Sequence, residues 1–422
     1  MTPLVTTLPS GLRIVSHEMP HLETVSLGVW VGVGARHEPE LDNGISHMLE
    51  HMAFKGTESR SARRIAEDIE QVGGELNAAT SLESTAYYAR VLKGDEGVAL
   101  DILADILQRS LYAEPEVERE REVILQEIAG IRDSPDELAY DLLQDAAFPD
   151  QPVGRPIIGT PDSVGRFTAT DLRRFLDERY VAPSIVLSAA GAICHYDLVR
   201  HAGALFGSLN GGSAMNCTAA SYVGGIRASE KVFEQSHLVL GFKGLAYGDP
   251  EFFATQVYSG LMGGGMSSRL FQEVRESRGL CYAIYSSAWG LSDGGLFTVH
   301  AATGADLMEQ LVEVVAGELV RSAETAPPAA EVERAKAQLK AGLLMGLESS
   351  SARAEQMARH LMAFDRLVSP RELIERVESV TPEGVRRVAE RMLCQAKASA
   401  AVVGAGVRSQ HWAEVAHSRL TH

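Results

Sequence analysis

The sequence predicts an α+β protein of two related domains, each a mainly antiparallel sheet with helices packed on one face. Three observations lead to this prediction. The length of 422 residues exceeds one common domain size, strand-like segments precede runs of helical pattern, and similar segments recur halfway along the chain. The predicted division places a first domain at residues 1–208, a linker at 209–228 and a second domain at 229–422.

The periodicity of apolar residues predicts the individual elements. The opening residues predict a first strand that ends in a turn at residues 9–11. Alternating apolar side chains predict strands near residues 25–31 and 237–242. The glycine- and serine-rich stretch at 207–214 is the strongest linker signal. Helical spacing predicts longer helices at residues 61–72, 98–110, 114–132, 331–347 and 351–364.

Two histidines four residues apart, His47 and His51, form the most informative local pattern. On a helix they lie on one face, one turn apart, so both rings can reach a single ion at about 2 Å, which suits Zn²⁺. Glu50 lies at the edge of the same face, where a general base for a metal-activated water belongs. The order H-x-x-E-H inverts the more common H-E-x-x-H zinc motif. Taken alone, the motif also fits a pair of surface histidines.

The helix predicted at residues 114–132 offers a third ligand. Glu127 lies among apolar residues, and a buried carboxylate needs a partner such as a metal ion. Glu120, seven residues earlier, shares its helix face and is expected to orient the site from outside the ligand set. Without the histidine motif, an amphipathic helix with an acidic stripe would explain the same residues.

The two halves of the chain resemble one another. The tetrapeptide E-V-E-R at residues 116–119 recurs at 331–334, and the pattern T-x-x-x-L-R-R at 168–174 recurs loosely as T-x-x-x-V-R-R at 381–387. The two repeats have nearly the same spacing. With the spacing of either one, the position of His47 falls within residues 260–262, which contain no histidine. We therefore expect one metal site per chain, in the first domain.

Composition excludes several classes of function. A net charge of −17 argues against nucleic-acid binding; it fits basic peptide ligands and equally a generally acidic soluble protein. The glycine run at residues 263–265 lacks the G-K-[ST] of a phosphate-binding loop.

No apolar run has transmembrane length and the first residues lack a signal-peptide layout, so we expect a cytoplasmic, bacterial protein. The cysteines show no C-x-x-C spacing and are expected to be reduced and buried: Cys194, Cys217, Cys281 and Cys394.

The segment G-I-S-H-M-L-E-H-M-A-F-K-G-T at residues 44–57 resembles the core motif of the pitrilysin-type (M16) zinc peptidases, closest to their processing-peptidase branch. In that family the third zinc ligand is a glutamate at a characteristic distance beyond the second histidine, and Glu127 lies at that distance from His51. An acidic residue seven positions earlier is typical, and Glu120 matches it. The resemblance extends over essentially the whole chain. It implies two homologous domains of the LuxS/MPP-like metallohydrolase fold and one Zn²⁺ per chain.

Two further motifs extend the resemblance. Residues 275–282 resemble the arginine–tyrosine pair of the family. The likeness implies that Arg275 and Tyr282, which lie in the zinc-free domain, complete the catalytic site formed around the zinc ion. Residues 73–80 resemble the edge strand on which the family binds its substrate. That likeness implies substrate contacts from Glu75, Leu76, Asn77, Ala78, Ala79 and Thr80.

The expected function is that of a zinc-dependent endopeptidase acting on peptides or on unfolded, presequence-like segments. Zinc would be held by His47, His51 and Glu127, with an open position for water and with Glu50 as the general base. The resemblance implies a dimer, because long members of the family enclose the substrate in a chamber of four such domains and this chain has two. The dimer would be a homodimer in which Tyr282 acts on the partner's zinc, or a heterodimer with a zinc-less sister chain. The alternatives are a non-catalytic core subunit of the same fold and a peptide-binding module.

Overall fold

The computed structural model describes residues 2–213 and 217–421, which form two compact units. The first unit contains the described residues of three stretches: Met1–Ile128, Pro156–Thr218 and Met345–Leu367. The second unit contains those of the three intervening stretches: Ala129–Arg155, Ala219–Leu344 and Val368–His422. Each unit therefore combines segments from both halves of the chain.

Groups of strands are followed by runs of helices along the chain, as expected of an α+β protein. The strands are β1 (Leu4–Thr7), β2 (Arg13–Glu18), β3 (Thr24–Val31), β4 (Glu75–Thr80), β5 (Thr85–Leu92), β6 (Ile185–Gly191), β7 (Gly225–Lys243), β8 (Ala283–Gly290), β9 (Gly295–Thr303) and β10 (Ser399–Ala405). The helices before residue 210 are α1 (Ile45–Met52), α2 (Ala62–Gln71), α3 (Glu96–Gln108), α4 (Glu114–Asp133), α5 (Pro135–Ala147), α6 (Pro161–Val164), α7 (Ala169–Arg179) and α8 (His195–Phe206). The later helices are α9 (Phe252–Gly263), α10 (Met308–Glu324), α11 (Ala329–Gly346), α12 (Ser350–Phe364), α13 (Pro370–Glu378), α14 (Pro382–Cys394) and α15 (Arg408–Leu420).

The sheet of the first unit has the strand order β1-β2-β6-β3-β5-β4. Only the β2–β6 pair is parallel among its described strands; the other neighbours are antiparallel. Strand β4 lies at one end of this order, with β5 on one side and, among the described residues, no paired strand on its other, open edge. An open edge leaves main-chain donors and acceptors available to another strand.

The sheet of the second unit repeats this arrangement. Strand β7 is long enough to pair twice with β10: residues 225–229 run parallel to it and residues 237–241 run antiparallel. The second part of β7 then pairs with β9, and β9 pairs with β8, all antiparallel. The pairings of β2, β6, β3, β5 and β4 thus recur in the same order, which confirms the duplication predicted from the sequence.

Both faces of the first sheet are buried. Helices of the same half, including α3, pack on one face as predicted. The other face is covered by α12, which comes from the second half of the chain. There Val15, Trp30 and Val186 of the sheet pack against Met357 and Leu361 of the helix. The prediction of helices on one face therefore describes the helices of the same half and omits the one that arrives from the other half.

The exchange is reciprocal. Helix α5, from the first half, packs on β7 and β10 of the second unit. Its residue Asp145 forms an ion pair with Arg227 at 2.6 Å, and its Leu143 lies against Gly241. Helices α5 and α12 begin at equivalent positions of the sequence repeat, Pro135 and Ser350. The predicted boundaries, 1–208 and 229–422, differ from the observed units because local sequence patterns do not show which sheet a helix covers.

Most of the elements predicted from periodicity are confirmed. The predicted helices correspond to α2, α3, α4, α11 and α12, and the predicted strands to β3 and part of β7. Residues 214–216 of the predicted linker lie outside the described residues. All four cysteines are free; Cys281 is buried, but Cys194 and Cys394 are exposed, contrary to expectation. Within the described residues, the structure contains no helix that is both long and apolar enough to cross a membrane.

A buried histidine pair lies under α5 in the second unit. Nδ1 of His237 and Nε2 of His300 are 3.1 Å apart, so one ring donates a hydrogen bond to the other. Tyr140 of α5 and Tyr285 of β8 stack on the His300 ring. The pKa of His300 is lowered to about 4, chiefly by burial and in second place by the neighbouring His237, while Asp136 opposes the shift. Both rings are therefore neutral at neutral pH.

This pair predicts a loss of stability in mild acid. The folded protein binds the His300 proton with a pKa of about 4 and the unfolded chain with the ordinary 6.5, so stability falls as the pH drops below 6.5 toward 4. Between about pH 7.5 and pH 5 this residue should cost about 2 kcal/mol of the free energy of unfolding. Urea unfolding at the two pH values should show a smaller loss for His300→Gln than for the natural protein.

The matched control is His201→Gln, since His201 is exposed. This variant should retain the pH dependence of the natural protein. An equal loss of stability in His300→Gln and in the natural protein would contradict the assignment.

Candidate metal centre

The centre is built on α1, whose first turn is held by a buried carboxylate. Glu38 is 2 % exposed and accepts hydrogen bonds from the amides of Gly44 at 2.7 Å and Ser46 at 2.8 Å. Burial raises the pKa of Glu38, while these amide bonds oppose the shift. Gly44 has φ of 94°, and a Cβ there would lie 2.7 Å from the main-chain oxygen of Ile158. This backbone conformation and the lack of space both require glycine at the start of the helix.

Three potential metal ligands converge between α1 and α4. One ligand atom each from His47, His51 and Glu127 lie within 4.8 Å of one another. Oε2 of Glu127 is 3.9 Å from Nε2 of His47 and 3.6 Å from Nε2 of His51. A tetrahedral Zn²⁺ with ligands at about 2 Å separates them by roughly 3.3 Å, so small side-chain rotations suffice. Two imidazoles and a carboxylate fit a zinc ion with an open fourth position.

The ring of His51 is fixed from behind by a chain of charged groups. Its Nδ1 lies 3.1 Å from Oε2 of Glu120, and Oε1 of Glu120 lies 2.6 Å from Nζ of Lys55. The Glu120 side chain is only 7 % exposed, so its charge needs both partners. Because a carboxylate only accepts hydrogen bonds, Nδ1 of His51 donates and Nε2 keeps a free lone pair toward the site. This arrangement is typical of histidines that bind metal ions.

The ring of His47 is also favoured in its neutral form, in this case by burial. Burial, and to a smaller extent the neighbouring His51, together lower the pKa of His47 to about 4. The ring is therefore a neutral imidazole at neutral pH, the form that ligates metals. Its Nδ1 is buried and has no hydrogen-bond partner among the described residues. The two rings lie 4.6 Å apart between centroids, one helical turn from each other, as their spacing predicted.

Glu50 lies beside these ligands and contacts the end of β4. The hydroxyl of Thr80 donates a hydrogen bond to Oε2 of Glu50 at 2.5 Å. Two buried tyrosines lie nearby, and their hydroxyls, in Tyr87 and Tyr180, are 3.2 Å apart. Burial is the main cause that raises the pKa of Tyr180 to about 12, and the charge of Glu50 adds to it. Glu50 therefore faces neutral phenols and one hydroxyl donor.

Strand β4 presents alternating faces. Leu76, Ala78 and Thr80 point toward the buried side, and Ala78 belongs to the core of the first unit. Glu75, Asn77 and Ala79 are exposed. All six residues predicted to contact substrate therefore lie on an edge strand, but Thr80 directs its side chain to Glu50.

Arg275 and Tyr282 lie in the second unit, where they contact each other. The guanidinium carbon of Arg275 is 4.5 Å from the centroid of the Tyr282 ring and 4.7 Å from that of Phe271. Arg275 lies in a short π-helix, Phe271–Glu276, and Tyr282 directly precedes β8. The Tyr282 side chain is 76 % exposed, so its hydroxyl is accessible to a ligand. A guanidinium stacked on two rings is restricted in its orientation.

Two residues of this arrangement, Lys55 and Glu38, were not predicted from the sequence. Glu127 is 41 % exposed, not buried as its apolar neighbours suggested, and Glu120 is the buried carboxylate of α4. Lys55 was not predicted because it lies beyond the end of α1 at Met52, where helical spacing no longer shows which side chains meet. Glu38 was not predicted either, because its hydrogen bonds to the amides of Gly44 and Ser46 depend on a loop that folds back onto the start of α1.

Comparison with known proteins covers most of the chain. Residues 13–161 match the family described as Insulinase (Peptidase family M16), and residues 166–339 match the Peptidase M16 inactive domain. An uncharacterized zinc protease of Rickettsia bellii is 39 % identical over 95 % of this chain and 97 % of its own length. One of Bacillus subtilis is 36 % identical over 95 % of this chain and 98 % of its own length.

Solved structures agree on the fold. The peptidase M16 inactive domain from Pseudomonas fluorescens superposes with a TM-score of 0.89 at 20 % identity, covering 96 % of this chain and 98 % of that one. A protease from Helicobacter pylori gives 0.88 at 23 % identity, covering 95 % and 99 %. These likenesses establish the fold, and the family matches establish the relationship. The chain belongs to the M16 (insulinase) peptidase family.

Proposed function

We propose that this protein is a zinc-dependent endopeptidase that cleaves peptides or unfolded segments. The observation that carries the proposal is the convergence of ligand atoms from His47, His51 and Glu127 within 4.8 Å. The relatives in Rickettsia bellii and Bacillus subtilis are described as zinc proteases, which supports the choice of metal and reaction.

The side chains divide the chemistry among them. His47, His51 and Glu127 would hold one zinc ion per chain, with Glu120 and Lys55 fixing His51. Zinc in such a site acidifies water and polarises a carbonyl group. Glu50 would accept the proton of the attacking water and deliver it to the leaving amine. Its hydrogen bond from Thr80 supports this role, because a base must be held in a fixed orientation.

The substrate would bind as an added strand along β4. The open edge of β4 supports this mode, since main-chain groups can pair with an extended peptide of almost any sequence. Side-chain selectivity would come from the exposed residues Glu75 and Asn77. Together with the net charge of −17, Glu75 favours basic peptides.

Arg275 and Tyr282 would complete the site by binding the carbonyl oxygen of the scissile bond. An exposed tyrosine hydroxyl next to a fixed guanidinium suits a developing negative charge. We propose a homodimer in which Tyr282 acts on the zinc site of the partner subunit. A heterodimer with a zinc-less chain is the alternative assembly.

Loss of the base should abolish cleavage without loss of metal. We expect Glu50→Gln to lower kcat/KM on a quenched basic peptide by about three orders of magnitude, because proton transfer is lost. Chelation of the natural enzyme should abolish cleavage, and added zinc should restore it. Metal analysis should find one zinc per chain in both proteins.

Glu70→Gln, an exposed change on α2, is the control and should leave cleavage intact. Peptide binding without cleavage by the zinc-loaded natural protein would instead favour the non-catalytic core subunit or the peptide-binding module.

Lys55 should contribute to zinc affinity through Glu120. Lys55→Met leaves the buried Glu120 carboxylate without its cation, and we expect a loss of about tenfold in affinity, measured by competition with a chromogenic chelator. Lys55→Arg should retain most of the affinity. Lys93→Met, at an exposed lysine, should have no effect; equal affinities for all four proteins would refute the contribution.

Complementation between two inactive subunits tests the partner role of Tyr282. Tyr282→Phe alone should lower kcat about a hundredfold. A mixed dimer of Tyr282→Phe and Glu50→Gln chains has one fully intact site if Tyr282 acts across subunits, so random mixing should recover about a quarter of natural activity. Mixing Glu50→Gln with the Glu50→Gln, Tyr282→Phe double variant should recover none. No recovery in the first mixture, despite subunit exchange, would exclude action across subunits.

A further inference from the structure

Thr80 lies where two functions proposed above meet. It is the last residue of β4, and its main chain pairs with Thr85 of β5 on one side of the strand. Its side chain points to the opposite surface from the exposed Ala79 and reaches α1. Its hydroxyl donates to Oε2 of Glu50 at 2.5 Å. One residue therefore belongs to the proposed substrate strand and also touches the proposed base.

Glu50 has no other hydrogen-bond partner among the residues that the structure describes. The nearby phenols of Tyr87 and Tyr180 bond each other. A carboxylate at the end of a two-carbon side chain can rotate about several bonds unless a partner fixes it. The orientation of this carboxylate thus depends on the Thr80 hydroxyl.

We propose that Thr80 is a positioning residue that orients Glu50 and couples the base to the strand that binds substrate. The inference rests on the proposed peptidase function. The pairing of β4 with β5 already places the Thr80 hydroxyl against Glu50, so the strand that would receive the peptide also holds the base in its orientation.

The hydroxyl also suits both protonation states of the base. When Glu50 is a carboxylate, Thr80 donates to it; once Glu50 has taken a proton, the same hydroxyl oxygen can accept a hydrogen bond. Serine retains this property and valine does not, although valine has nearly the shape of threonine. The two substitutions separate hydrogen bonding from packing.

The test compares Thr80→Val, Thr80→Ser and the natural enzyme on a quenched basic peptide. We expect Thr80→Val to lower kcat by about tenfold to a hundredfold, with KM and zinc content unchanged. Thr80→Ser should recover kcat to within about threefold of the natural value. Ser81→Ala, which removes a hydroxyl that bonds only within the adjacent turn, should leave kcat unchanged. If the valine variant does not fold, Thr80→Ala takes its place, since alanine already occupies the two preceding positions.

A second measurement distinguishes orientation of the base from a general structural effect. In the Glu50→Gln background, Thr80→Val should change the residual kcat by less than about twofold, because no base remains to be oriented. The same fold-loss in both backgrounds would overturn the proposal, as would a Thr80→Val enzyme with natural kcat. Failure of the proposed function is distinct, since the natural protein would then show no zinc-dependent cleavage.

Discussion

A helix of eight residues makes too few internal hydrogen bonds to persist in water unless its surroundings hold its ends. Helix α1 is of this kind, and it carries His47, Glu50 and His51. The Glu38 carboxylate satisfies amides in its first turn, and the left-handed Gly44 lets the chain turn into the helix. Every distance in the candidate centre depends on this attachment, because a helix that shifts by one residue removes both histidines from Glu127.

Sequence analysis predicted those parts of the candidate site that follow a local period. Two histidines at i and i+4, and the glutamate Glu127 at the family distance, needed no tertiary information. The exposure of each carboxylate could not be predicted from the same local pattern. Apolar neighbours along α4 suggested that Glu127 is buried, but the side chain faces the open site, and Glu120 is the shielded one. Burial is decided by what packs opposite a residue, which neighbours in sequence do not specify.

The prediction of the fold was limited in the same way, because local sequence does not show which elements pack together. Strand and helix positions follow from apolar periodicity, and the repeat predicted two like domains. The covering of Val15 and Trp30 by α12 was not predictable, because a buried β-strand has the same apolar pattern whichever helix covers it. The contact of Thr80 with Glu50 was missed for a similar reason: the family pattern assigned β4 to substrate without saying which side chains point inward.

The duplication produced two different uses of one scaffold. In the first unit, α1 contacts the edge strand through the Thr80–Glu50 hydrogen bond. In the second unit the corresponding helix, α9, bonds directly to β8, with Gln256 donating to the main-chain oxygen of Ala288 at 2.9 Å. Gly263 lies so close to this strand that a Cβ would be 2.3 Å from the amide of Ser286. Helix α9 therefore packs closely on its edge strand, whereas α1 carries the candidate metal ligands and the proposed base.

The reciprocal exchange of α5 and α12 also sets the order in which the chain can mature on the ribosome. Strand β6 completes the first sheet at Gly191, but the helix that seals its second face ends only at Phe364, far into the second half of the chain. At about 5–20 residues per second, synthesis of the chain between these two points lasts roughly ten to thirty-five seconds. During that time the sheet beside the candidate metal ligands presents to the solvent the apolar surface that α12 later covers, and such transiently exposed surface favours aggregation.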